Sequence, residues 1–144
     1  MKILVINGPN LNLLSKRDGT KYSSLNIEQI IELLKNEFPK IEFHSFQSNL
    51  EGELVTKIQE ADSVFAGIII NPGGYSHTSV AIMDALESCN IPKIEVHLSH
   101  LANREDYRQT LLTARNTNGY IFGFKENSYL AAAYLLTKLI KKSN

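Results

Sequence analysis

Hydrophobic and polar positions fall into five short apolar runs separated by longer segments of helical period. Residues 3–6 (ILVI) and 65–70 (FAGIII) are near-continuous apolar stretches, the pattern of parallel strands buried on both faces. Residues 41–46 alternate, and residues 91–96 and 120–124 supply two further short runs. Between them, residues 25–38 place apolar side chains at 27, 30, 31, 34 and 38, which is helical spacing. Asn26 with Gln29 three residues on forms a weak capping box, and Pro39 stops the segment. Residues 51–61 read as a second helix with acids in its first turn, where the helix dipole favours them. Residues 79–86 continue as a third. Residues 103–115 read as a fourth, with Arg104 and Arg108 four apart on one face. Residues 128–142 close the chain as an amphipathic helix with a basic last turn.

Strands alternating with helices predict right-handed βαβ units. The expected fold is α/β: a flavodoxin-like, doubly wound, five-stranded parallel sheet of order 2-1-3-4-5, in one domain over residues 1–144. That order puts a crevice between strands 1 and 3. Those two strands end in Asn7-Gly8-Pro9-Asn10 and Asn71-Pro72-Gly73-Gly74. Both clusters stop a strand, because Pro lacks the ladder donor and Gly permits a tight turn. Tyr75, Ser76, His77, Thr78 and Ser79 follow the second cluster, and His97-Leu98-Ser99-His100 follows the fourth strand. Residues 15–24 (SKRDGTKYSS) are polar and aperiodic and read as a mobile surface loop carrying Arg17 and Tyr22.

Composition narrows the function classes. The 15 basic and 15 acidic residues balance, so no nucleic-acid stripe or membrane-surface patch is expected. The single Cys89 excludes an internal disulfide framework and fits a reducing compartment. With no leader-like segment and no run of spanning length, the expectation is a soluble, cytosolic protein.

Several chemistries lack their residues. No glycine-rich phosphate loop follows a strand, so dinucleotide and P-loop readings fail. His97 and His100 lie close together without a third ligand at suitable spacing, so no metal is expected. Ser79 and Ser99 lie outside any nucleophile elbow, and no Lys sits inside an apolar strand near its exit for Schiff-base work. What remains is cofactor-free proton chemistry on a small ligand, using Asn10, Asn71, His77, His97, Ser99, Arg108, Arg17 and Tyr22. A closing loop would exclude water from it. Asn10 equally suits a left-handed backbone position in its turn.

The runs ILVINGPNLNLL, QSNLEGELV, INPGGYSHTSVAIMDAL and EVHLSHLANREDYR, with Arg17 and Tyr22 between the first two, are long, ordered and correctly spaced. Over essentially its whole length the chain resembles the type II 3-dehydroquinate dehydratases. The resemblance implies dehydration of 3-dehydroquinate to 3-dehydroshikimate in the shikimate route to aromatic compounds, without a cofactor. It implies Tyr22 as the base, Arg17 favouring its phenolate, and His97 as the acid. Asn10 would hold a water that stabilises the enolate oxygen. Asn71, Leu98 and Ser99 would meet the substrate carboxylate, and His77 and Arg108 the ring hydroxyls. Asp84 would reach a neighbouring subunit's site, because the family forms trimers assembled into dodecamers. Glu95 and Arg104 match in supporting roles, and Glu95 shares a strand face with His97. Gly19 and Ser23 stand where the family's loop usually has Pro and Gly. A non-catalytic metabolite-binding module on the same fold is the alternative expectation.

Overall fold

The computed structural model describes residues 1–143. Five parallel strands, β1 (Lys2–Asn7), β2 (Glu42–Gln47), β3 (Gly67–Asn71), β4 (Lys93–His97) and β5 (Gly119–Phe122), form one sheet. Their order is β2-β1-β3-β4-β5, as expected. The four α-helices are α1 (Ile27–Glu37), α2 (Glu51–Ala61), α3 (Val80–Ser88) and α4 (Asn127–Ser143).

Side chains alternate across the central strands and build two apolar layers. Ile3, Val5, Ile69, Ile94 and Val96 pack with α1 and α4 on one face. Leu4, Ile6, Ile68 and Ile70 pack with α2 and α3 on the other. A strand covered on both sides needs apolar residues at every position, which is why these runs are continuous. Emptying such a layer is expensive: a buried Ile or Leu truncated to Ala typically costs about 2–5 kcal/mol. The Asn26–Gln29 capping box forms in full. Ser79 caps α3 by accepting from the Ile82 N–H at 2.9 Å.

The two turns at the ends of β1 and β3 interlock. Gly8 N–H donates to the Asn71 carbonyl at 2.8 Å. A Cβ on Gly8 would sit 2.3 Å from the Pro72 carbonyl oxygen, so no side chain fits there. Gly73 has φ 61° and faces Pro9, a backbone region that glycine enters without strain.

One element differs from expectation. Residues 103–115 do not form an α-helix but pass through three separate 3-10 turns, Leu101–Asn103, Asp106–Gln109 and Thr113–Asn116. Arg104 is extended at φ −99°, ψ −179°, so Arg104 and Arg108 do not share a helix face. The segment spends its polar groups on the rest of the protein. Leu112 N–H donates to Ser76 O and Thr110 O accepts from His77, while Gln109 Nε2 closes back locally on Leu101 O. Thr113 donates to Glu95, and its hydroxyl lies 3.2 Å from Ser76 Oγ. Long-range bonds of this kind outweigh a helical propensity of tenths of a kcal/mol per residue. The strand expected at 120–124 ends at Phe122, where Gly123 (φ 94°) turns the chain.

Candidate active site

The carboxyl ends of β1, β3 and β4, with the loop between β1 and α1, enclose a cavity of ≈ 100 Å³. Arg17, Tyr22, Asn10, Asn71, His77, His97, Leu98, Ser99 and Arg108 all line it, together with Arg104. Nine of the ten residues assigned from the sequence therefore converge. Asp84 does not: it is exposed on α3, outside this chain's cavity. A larger cleft of ≈ 470 Å³ lies beside α1, between Leu11, Ile27, Ile31 and the paired Glu32 and Lys35. It gathers helix-surface groups rather than an acid–base set, so size does not mark the site.

The β4 side of the cavity is built from the interior outward. Glu95 is wholly buried and lies on the same strand face as His97. Its carboxylate accepts from Ser76 at 2.8 Å, from Thr113, and from His97 Nε2 at 2.7 Å. Three donors on one carboxylate compensate its removal from water. Because Nε2 carries its hydrogen toward Glu95, Nδ1 is the nitrogen left to exchange a proton. Ser76 and Thr113 carry no signal in the sequence, since their partner lies 18 or 19 residues away across the fold.

His77 stands beside His97, with ring centroids 6.1 Å apart and planes 25° from parallel. Its Nδ1 meets the Thr110 carbonyl at 2.8 Å, which only an N–H can do, so Nε2 is an acceptor. Burial is the main reason its pKa is lowered from the ordinary 6.5, and the neighbouring His97 and Arg108 act in the same direction. The His77 ring is thus biased toward its neutral form.

The opposite wall is the loop. The Arg17 guanidinium lies 3.8 Å over the Tyr22 ring centroid. Arg104 donates from one end of its fork to Tyr22 Oη at 3.1 Å and from the other to Ser99 Oγ at 2.9 Å. Its Nε lies 3.3 Å from a Glu105 carboxylate oxygen, an ion pair without hydrogen-bond alignment. The phenol therefore has one guanidinium bonded to its oxygen and a second over its ring, charges that would offset a phenolate. Asn10 adopts φ 68°, and its backbone N–H donates to Asn49 Oδ1 at 3.0 Å. The turn thus uses the left-handed tolerance of Asn while lining the cavity. Ser23, buried at the loop's end, donates to Glu126 at 2.7 Å and ties it to the start of α4.

Among the described residues, no three His, Cys, Asp or Glu side chains gather as a metal site, and no helix is long and apolar enough to cross a membrane. A flavodoxin-like sheet whose switch-point crevice joins a phenol among guanidiniums to a carboxylate-bound imidazole defines an acid–base protein of the α/β class.

The model of the family described as Dehydroquinase class II matches residues 1–137. The 3-dehydroquinate dehydratase of Clostridium botulinum (strain Langeland) is 46% identical over 147 residues, covering 99% of this chain and 95% of that protein. That of Clostridium perfringens (strain SM101) is 46% identical over 144 residues, covering 98% and 99%. The crystal structure of the type II dehydroquinase from Butyrivibrio crossotus superposes with a TM-score of 0.91 at 44% identity, over 95% of this chain and 97% of the other. The chain belongs to the class II dehydroquinase family.

Proposed function

We propose that this crevice dehydrates 3-dehydroquinate with Tyr22 as the base and His97 as the acid. Tyr22 Oη, as phenolate, takes the proton from the carbon beside the ring ketone, and the electron pair forms an enolate. The C–O bond to the departing hydroxyl then breaks as His97 gives that oxygen a proton. Water leaves and a conjugated enone remains. Glu95 holds the imidazole throughout and balances the charge it carries when protonated. Arg17 and Arg104 balance the phenolate. Asn10 holds a water at the enolate oxygen. Asn71, Ser99 and the Leu98 backbone receive the carboxylate, and His77 and Arg108 receive ring hydroxyls. The single observation that carries this reading is the shared cavity: the Tyr22 and His97 walls face one small space, each backed by opposite charge.

Asp84, exposed and outside its own chain's cavity, is read as completing a neighbour's site in a dodecamer of trimers. A mass equal to twelve 16.2 kDa chains in sedimentation, and loss of turnover in Asp84→Ala at unchanged mass, would bear this out. A lone thiol supports a cytoplasmic setting.

The test of the reaction is addition of 3-dehydroquinate. Ultraviolet absorbance from the enone should rise with the native chain and stay flat with Tyr22→Phe. Thermal stabilisation by the compound without any rise in absorbance would instead support a binding module.

A further inference from the structure

Beneath the crevice lie three buried polar side chains that the proposed chemistry leaves unused or half used. Asn7 and Asn71 are register partners at the ends of β1 and β3, and both are buried. They extend the strand rows of Ile3 with Val5, and of Ile69, that pack toward α4. Tyr129, in the first turn of α4, is also buried. Its hydroxyl lies between the two amides, 2.6 Å from Asn7 Oδ1 and 3.0 Å from Asn71 Nδ2.

One backbone group sets the direction of every bond in this chain. Gly73 N–H has no choice but to donate, and it does so to Asn71 Oδ1 at 3.1 Å. The Asn71 amide must then turn Nδ2 toward Tyr129. The hydroxyl has a single proton, so accepting from Asn71 leaves it to donate to Asn7 Oδ1. Burial pushes the Tyr129 phenol far above its ordinary range, so that proton stays in place. The polarity is kept although it leaves Asn7 Nδ2 buried with no hydrogen-bond partner among the described residues. An unpaired buried donor is unfavourable, and apolar residues would have served packing alone. After these bonds Asn71 keeps one amide hydrogen, and Asn71 lines the cavity.

We propose that Tyr129 is a positioning residue: by accepting from Asn71, opposite the Gly73 N–H that anchors Oδ1, it helps hold that amide with its remaining N–H toward the crevice, so that this end of the cavity selects an anionic oxygen. The proposal rests on the reading of Asn71 as a carboxylate contact. A rotated amide would present Oδ1 to the same oxygen and repel it.

The test compares Tyr129→Phe, Asn71→Ala and the double variant for KM and kcat with 3-dehydroquinate. Tyr129→Phe should raise KM about tenfold and change kcat by less than about threefold. Asn71→Ala should raise KM at least as much, and Tyr129→Phe should add nothing to it in the double variant. A KM unchanged in Tyr129→Phe, or raised by the same factor in both backgrounds, overturns the proposal while leaving the Asn71 contact standing. A KM unchanged in Asn71→Ala overturns the contact reading and the proposal with it. Asn7→Ala, which keeps the aromatic ring, is the second arm should Tyr129→Phe fail to fold. It should raise KM several-fold, about what weakening one hydrogen bond does, and an unchanged KM overturns the chain of bonds.

Discussion

His97 and Tyr22 face one cavity from opposite walls, yet His97 ends a central strand and Tyr22 rides on a surface loop. The His97 wall is interior structure. Glu95 and His97 are buried in β4, and the partners Ser76 and Thr113 come from two other segments. The Tyr22 wall is an exposed stretch in which residues 18–21 all face solvent. It is fastened by Ser23 to Glu126, by Arg104 to Tyr22, and by turns around Asp18. A group fixed by burial contributes to folding and to chemistry at once, whereas a loop can contribute to chemistry with little share in stability. Loss of one wall should therefore disturb the fold, and loss of the other should not.

The largest effect expected is on turnover in Tyr22→Phe. Removing a positioned acid or base costs about 10²–10⁴-fold, while the ring still stacks under Arg17, so the melting temperature should hardly move. A melting temperature that falls along with kcat would erase the contrast. Glu95→Gln comes next. The Gln amide must turn its donors toward His97, Ser76 or Thr113, all of which donate to the carboxylate. Turnover should fall about 10²-fold or more, and stability by about 1–3 kcal/mol in denaturant titration. An active but fully stable Glu95→Gln would show that the buried carboxylate is idle.

Ser23→Gly sharpens the comparison from the loop side. It removes the bond to Glu126 and frees the backbone, so KM should rise a few-fold, with about 1 kcal/mol or less lost in stability. Equal KM values would make the fastening irrelevant to closure.

The smallest effect concerns pH. Burial holds His77 below its ordinary 6.5. As pH falls through about 6.5 the unfolded chain takes up a proton that the folded chain refuses. The unfolded state then binds more protons, and stability declines toward acid until the folded ring is protonated too. Melting curves at neutral and mildly acid pH should show a shallower decline in His77→Asn. Identical declines would mean that His77 does not resist its proton.

How much of this was legible beforehand depended on the distance over which a signal acts. The run Ile68-Ile69-Ile70 announces a doubly covered strand, and Asn26 with Gln29 announces a helix start, because each pattern reflects forces among near neighbours. His97, Asn71 and Arg108 were assigned by their place in long motifs and Tyr22 by its place in the loop between two of them, and one cavity collects them. Residues 103–115 were read as a helix because Thr113 and Leu112 reveal no long-range partner in a one-dimensional string. Tyr129 carries no signal of its role in the string, since only the fold brings two amides to its hydroxyl.

Local periodicity and turn chemistry thus determined the strands, the helices around them and the placing of polar clusters at strand ends, because those preferences act within a few residues. Only the tertiary structure decided that Glu95 has three donors, that Arg104 turns inward to a phenol, and that Tyr129 joins Asn7 to Asn71. The physical reason is that a buried polar group is satisfied by whichever partner the packed chain delivers to it, and that partner comes from anywhere along the sequence.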